Sequence, residues 1–215
     1  MDARGRFRLP VSPAAAVRLQ ERLRDRVVRS GSPPRRLVAG ADVSEKDGRA
    51  RAAFVVLRGL EPVEEAVAET AVPFPYVPGL LSFREIPSLL AAWGRLRTRP
   101  DVVIVDGQGT AHPRRFGLAC HLGLVLGVPT VGCAKSLLTG RYEEPAPERG
   151  SWSPLVDRGE TVGAALRTQD GRNVVYVSPG HRVSLAAAIR TVLACAPRYR
   201  LPEPQRLADR LSKRR

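Results

Sequence analysis

The sequence predicts an α/β protein with a mixed central sheet, in which three meander strands are followed by alternating helices and strands. Three observations carry that expectation. The apolar, β-branched run Val102–Val105 stops at Asp106-Gly107, a segment of helical length follows at 116–126, and a second apolar run at 128–133 stops before Lys135. Strand, helix, strand in that order is the repeating unit of a parallel sheet, and in open α/β sheets ligands sit at the strand ends. Upstream, runs at 37–41, 52–57 and 63–72 read as three strands, with Asp47-Gly48 as a hairpin turn between the first two. Downstream, runs at 161–166 and 174–177 flank a second hairpin signal, Asp170-Gly171.

Taken in order, residues 11–29 place Val11, Ala14, Val17, Leu19 and Leu23 among arginines, a helical apolar stripe that Ser30-Gly31-Ser32-Pro33-Pro34 ends. The strand at 37–41 is expected to end in Asp42. The run at 63–72 alternates Val63, Ala66 and Val67 with glutamates, which fits an edge strand with one wet face. In Pro73-Phe74-Pro75-Tyr76-Val77-Pro78-Gly79 three prolines hold the backbone extended, so the loop is stiff and loses little entropy when it inserts into a partner. Local spacing alone favours Tyr76 as a core residue.

Residues 82–97 read as a helix with Leu89, Leu90, Trp93 and Leu96 on one face. Two starts stay open. Ser82 and Glu85 match a capping box, or Pro87 occupies the first turn and the Glu85 carboxylate is free. Residues 141–158, rich in proline and charge, read as a surface loop. The strand at 174–177 leads into Ser178-Pro179-Gly180-His181, and Ser184 can cap a helix running to Ala194. Residues 198–215 read as a short helix with a frayed, basic end. A single domain over residues 1–215 with a short basic C-terminal tail is expected.

Basic residues outnumber acidic ones 35 to 21, the net charge is +14 and the sequence pI is near 11.1, which points to a polyanionic partner. All the basic residues except Lys46, Lys135 and Lys213 are arginines, so a compositional bias explains the charge equally well. Cys120, Cys133 and Cys195 are too few for a disulfide framework and lack zinc-ligand spacing with the three histidines. Arg4, Arg6 and Arg8 precede no apolar core of a targeting signal, because Arg18 interrupts the Ala-Val run, and no stretch approaches membrane-spanning length. The expectation is a reduced, cytoplasmic, monomeric protein that meets no membrane.

Asp42, Glu85 and Asp106 each fall at a strand end or a helix start, so a fold that joins those junctions gathers three carboxylates. Like charges that close are tolerated chiefly around a cation. Oxygen-only ligands select a hard ion such as Mg²⁺, for which Mn²⁺ substitutes, and the chemistry that follows is hydrolysis of a phosphodiester. Lys135 would add a compact cation near the attacking water or the scissile phosphate. His112 or His181 would orient water or transfer a proton near neutral pH. The competing readings are an ordinary Asp106-Gly107 turn, a solvated Lys135 and solvated histidines.

PYVPGLLSFRE at 75–85, VDGQGTAHPRRFGLACHLG at 105–123, CAKS at 133–136, SPGHR at 178–182 and YRLPEP at 199–204 together resemble the endonuclease V family, in the family's order and over nearly the whole chain. The resemblance implies a ribonuclease H-like fold. It implies a divalent metal held by Asp42, Glu85 and Asp106 with His181 beside them, Lys135 as a catalytic lysine, and His112 as the histidine after the glycine loop. It also makes Pro75-Tyr76-Val77-Pro78 a strand-separating wedge, which reverses the local preference for Tyr76. Such a wedge fills the gap left by a base turned out of the stack. Pro78, Gly79, Leu81, Gly107 and Gly109 would then line a pocket that reads the flipped base through main-chain contacts.

Family members like this act on deoxyinosine in DNA and nick the strand on its 3′ side, one nucleotide beyond the lesion, which implies a Mg²⁺-dependent DNA repair endonuclease of the deoxyribonuclease V type. The compact length resembles the bacterial members, which act on DNA, more than the animal ones, which prefer inosine in RNA. A ribonuclease acting on inosine-containing RNA and a non-catalytic basic nucleic-acid-binding module remain the alternatives. A dinucleotide site at Gly107 and Gly109 fits poorly, because the third glycine position is His112 and Asp106 would repel a pyrophosphate.

Overall fold

The computed structural model describes Phe7 and residues 9–214, so Arg4, Arg6, Arg8 and Arg215 lie outside the described residues. Strands β1 (Leu37–Lys46), β2 (Arg49–Arg58) and β3 (Glu61–Ala71) form the antiparallel meander. Asp47 and Gly48 both take the left-handed backbone that a two-residue hairpin requires. β4 (Val102–Val105) adds to β1 in parallel, helix α3 (Leu118–Leu126) crosses over, and β5 (Thr130–Ala134) adds to β4 in parallel. β6 (Trp152–Asp157), β7 (Glu160–Leu166) and β8 (Val175–His181) complete the far side in antiparallel pairing. The sheet order is β3-β2-β1-β4-β5-β8-β7-β6.

Alternation along the strands sends side chains to two faces, and each face buries against helices. On one face Ala39, Phe54, Val56, Val103 and Val105 pack against Ile86 and Leu89 of α2 (Leu81–Trp93) and Leu122 of α3. On the other, Val38, Ile104, Val131 and Val177 meet Ala188, Ile189 and Val192 of α4 (Leu185–Ala194), while Ala53, Val55 and Leu57 meet Ala208 and Leu211 of α5 (Glu203–Lys213). Helix α1 (Pro13–Arg24) closes one end through Leu19 and Leu23 against Phe74, Phe83 and Phe116.

Several local expectations change. Ser12 caps α1 by accepting from the Ala15 N–H, which sets the buried stripe at Ala16, Leu19, Gln20 and Leu23 and leaves Val11 98% exposed. β1 runs past Asp42 to Lys46 because its partner β2 continues the ladder. Neither expected start of α2 is used: the helix begins at Leu81 with no side-chain cap, and Pro87 lies inside it. Part of 141–158 is the edge strand β6, which tolerates Pro154 because an edge position leaves one side without ladder bonds; it turns into β7 at Arg158-Gly159, both left-handed. The C-terminal tail is α5, packed on the sheet. A Cβ at Gly40 would overlap the Pro204 carbonyl, so glycine is what lets α5 lie against β1. Cys120, Cys133 and Cys195 are buried and free, and among the described residues no helix is long and apolar enough to cross a membrane.

Candidate active site

The parallel register of β1 and β4 pairs Ala41 with Val105, and the Asp106 N–H donates to the Ala41 carbonyl at 3.0 Å. The next residue on each strand is an aspartate, so Asp42 and Asp106 are set side by side by the ladder itself. Helix α5 crosses beneath them and adds Asp209. One carboxylate oxygen from each of Asp42, Asp106 and Asp209 lies within 4.8 Å of the others.

Ser212 donates to Asp42 Oδ2 at 2.6 Å, Lys135 Nζ lies 2.5 Å from Asp106 Oδ2 and 2.9 Å from Asp209 Oδ1, and Lys213 Nζ lies 2.8 Å from Asp209. Burial opposes the charge on Lys135, and its bonds to Asp106 and Asp209 outweigh that and raise its pKa. Glu85, on the second turn of α2, stands outside the 4.8 Å set but inside its field. Burial pushes its carboxyl well above the ordinary range, and Asp42, Glu45 and Asp106 add to the effect.

Burial also pushes Asp42 up to about 7; the Ser212 bond works against the shift and Asp106 reinforces it. Burial therefore opposes ionisation of Asp42 and of Glu85 beside it, and an all-oxygen set with that character fits a hard divalent cation, which would supply positive charge there. The sign of the pH effect follows. A carboxyl group with a raised pKa holds its proton more tightly folded than unfolded, so between its ordinary 3.8 and about 7 its contribution to stability falls as pH rises. We therefore expect added Mg²⁺ to raise the melting temperature more at about pH 8 than at about pH 6, because a cation binds the ionised form. Thermal melts at both pH values check this, and a larger gain at the lower pH contradicts it.

Beside the carboxylates lies a cleft of about 140 Å³ walled by Tyr76, Pro78, Gly79, Leu81, Ser82, Gln108 and His112. Tyr76 is 70% exposed, so it is no core residue; Phe74 takes that role, against Phe83. Gly79 has left-handed backbone (φ +77°), and its carbonyl accepts from Gln20 Nε2 (3.0 Å), His112 Nε2 (3.0 Å) and Arg114 Nη2 (2.7 Å). Three donors on one carbonyl fix the base of the proline loop. Helix α2 has no side-chain cap where Leu81 and Ser82 reach the cleft, which leaves its first N–H groups in need of partners.

The structure separates the two histidines: His112 lines the cleft and His181 does not. His112 Nδ1 accepts from the Arg114 N–H, so the ring proton sits on Nε2 and is donated to Gly79. Burial, reinforced by Arg114, brings its pKa down to about 4, so near neutral pH the ring is uncharged and keeps its one N–H on the Gly79 carbonyl, where it holds the loop. His181 is not beside the carboxylates. β8 continues four residues beyond Val177 and runs antiparallel to β5, so His181 pairs with Thr130, at the end of β5 remote from Lys135, and its Nδ1 accepts from the Val28 N–H. Gly109 is also away from the cleft. A Cβ there would overlap the Pro179 carbonyl, so this glycine, whose N–H donates to Ser178, closes the loop onto β8. Gly107 abuts Leu118, and Gln108 is the loop residue that reaches the cleft. Asp209 was not anticipated: its only sequence signal is an acid on the flank of an amphipathic helix, a pattern shared by most surface helices.

The family model for endonuclease V matches residues 20–210. The chain is 50% identical over 212 residues to endonuclease V of Trichormus variabilis, covering 96% of each protein. The crystal structure of endonuclease V from Streptomyces avermitilis superposes with a TM-score of 0.91 at 48% identity, covering 95% of this chain and 93% of that one. Endonuclease V of Ciona intestinalis, solved with a 24mer DNA containing an inosine followed by a ribo-adenosine, superposes with a TM-score of 0.81 at 27% identity, covering 93% and 95%. The mixed sheet flanked by helices is the ribonuclease H-like fold of these nucleases, as the resemblance implied. Sequence match, superposition and the carboxylate cluster agree: the chain belongs to the endonuclease V family.

Proposed function

We propose that this chain is a DNA repair endonuclease, a single catalytic domain acting as a cytoplasmic monomer, that recognises deoxyinosine and hydrolyses the phosphodiester on its 3′ side, one nucleotide beyond the lesion. The observation that carries the reading is the adjacency of two sites on one short loop: Asp106 belongs to the carboxylate cluster, and Gln108 walls the cleft beneath the Tyr76 loop. A base held in that cleft leaves its own backbone beside the carboxylates. The Ciona relative's complex with inosine-containing DNA supports the choice of lesion.

In this reading Asp42, Asp106 and Asp209 would hold Mg²⁺ or Mn²⁺, with Glu85 in the adjoining field. Such an ion, when bound, would lower the pKa of a water and offset charge on the phosphate. The protein's own groups do the rest. Ser212 keeps one Asp42 oxygen in place, and Lys135 presents an ammonium at the same edge, where it can meet a phosphate oxygen. Tyr76, on a loop stiffened by prolines and anchored through Gly79, fills the gap left by the flipped base.

Tyr76→Ala is expected to weaken binding to a deoxyinosine duplex by about 1–3 kcal/mol, the worth of one stacked base, with little effect on an undamaged duplex. Titration of both duplexes by fluorescence anisotropy measures the difference. An equal loss on both contradicts the wedge, and much faster cutting of an inosine-containing RNA strand than of its DNA counterpart would reassign the substrate.

A further inference from the structure

His121 is fully buried and lies outside both the carboxylate cluster and the cleft lining. Its ring is enclosed by Phe7, Phe83 and Phe116, with centroids 5.4, 5.0 and 5.1 Å away, and its Nε2 has no hydrogen-bond partner. Its Nδ1 lies 3.0 Å from Ser82 Oγ, and Ser82, itself 2% exposed, forms part of the cleft wall. Burial brings the imidazole pKa down to about 3, so the ring is neutral and carries one N–H and one lone pair. The surroundings choose which nitrogen has which. An N–H on Nε2 would lie among three aromatic rings, whose electron-rich faces suit a donor better than a lone pair, whereas a lone pair there would be buried with nothing to accept from. These surroundings favour the proton on Nε2, which leaves the Nδ1 lone pair to accept from the Ser82 hydroxyl. With its single hydrogen committed, Ser82 can offer the cleft only its oxygen lone pairs.

We propose that His121 locks Ser82 as a hydrogen-bond acceptor in the base cleft, so that Ser82 admits bases carrying a lactam ring N–H and rejects those with a ring lone pair in that position. The inference rests on the functional reading above and adds how that site tells a deaminated base from a normal one. Adenine presents a bare N1, and against a fixed acceptor two buried lone pairs would face each other unpaired. Deamination puts a hydrogen on N1 and turns the contact into a bond. A site built around such a bond rejects the analogue that cannot make it far more strongly than a shape-matched pocket does. Guanine carries the same N–H, so this device does not distinguish it from hypoxanthine. Ser82 substitutions should leave guanine rejection unchanged. His121 is a positioning residue and acts only through Ser82.

The test is single-turnover nicking of duplexes with one deoxyinosine or one deoxynebularine, a purine whose N1 is a bare lone pair, by wild type, Ser82→Ala and His121→Phe. Ser82→Ala is expected to narrow the preference for deoxyinosine by about tenfold or more, because one base loses its bond and the other its repulsion. His121→Phe frees the hydroxyl to turn and donate, so it is expected to raise deoxynebularine nicking while deoxyinosine is still cut. Melting curves confirm that each variant is folded, and should His121→Phe not fold, Ser82→Ala decides alone. A preference unchanged within twofold in folded Ser82→Ala overturns the inference and leaves the functional reading intact. Failure of the wild type to cut deoxyinosine overturns both.

Discussion

Asp106→Ala is expected to slow strand cleavage by about 10³-fold or more while DNA binding stays intact or grows stronger. The reason lies in the register of β1 and β4, which places Asp106 against Asp42 and makes it the carboxylate shared by the ladder, the Lys135 ion pair and the acidic cluster. A metal ion contributes several kcal/mol to stabilising charge in the transition state, and each ~1.4 kcal/mol is about tenfold in rate. Removing this carboxylate leaves the DNA contacts in place and takes away one negative charge facing the phosphates. Burst kinetics and anisotropy on the same duplex separate the two effects, and unchanged turnover would remove Asp106 from the chemistry.

Asp209→Ala is expected to cost about 10²–10³-fold in cleavage at low Mg²⁺, with partial recovery as Mg²⁺ is raised, because a lost ligand weakens binding before it abolishes it. Asp209 also neutralises two lysines: its oxygens lie 2.9 Å from Lys135 Nζ and 2.8 Å from Lys213 Nζ. Without it, Lys135 is left to Asp106 alone and competes more strongly for the oxygen a metal needs. Cleavage measured across a Mg²⁺ series distinguishes this from a structural defect, which added Mg²⁺ would not repair. A loss of less than twofold at low Mg²⁺ would restrict the ligand set to the sheet residues.

The parts of the site that were legible in the sequence are those that local chain chemistry fixes. Val102–Val105 ends in an acid because a buried β-branched run must stop where a charge appears, and Lys135 ends the next strand for the same reason. The proline spacing around Tyr76 announced a stiff exposed loop, although spacing alone could not say which aromatic was inside. What stayed hidden depends on contacts between distant segments. Asp209 reaches the cluster only because Gly40 leaves room for the Pro204 carbonyl and the Gln205 amide donates to the Cys133 carbonyl, both far away in the chain.

His181 was misplaced because the Ser-Pro-Gly sequence before it looks like a strand terminator, whereas the β5–β8 ladder accommodates Pro179 at a register shift and carries the strand on. β6 was masked by Pro154 within it and by the charged, proline-rich residues that precede it, and an edge strand accepts such a proline. Glu85 could not be assigned from its capping-box pattern, because Ser82 turns instead to His121 and leaves the helix start uncapped.

The central claim, that a metal-loaded carboxylate cluster cuts beside a base held in the neighbouring cleft, is tested most directly by incubating wild-type protein with an end-labelled duplex holding one deoxyinosine, with Mg²⁺ or with EDTA. One Mg²⁺-dependent nick on the 3′ side, one nucleotide beyond the lesion and absent from the undamaged duplex, is the predicted result. Cutting that persists in EDTA, or that falls equally on the undamaged duplex, would contradict the account.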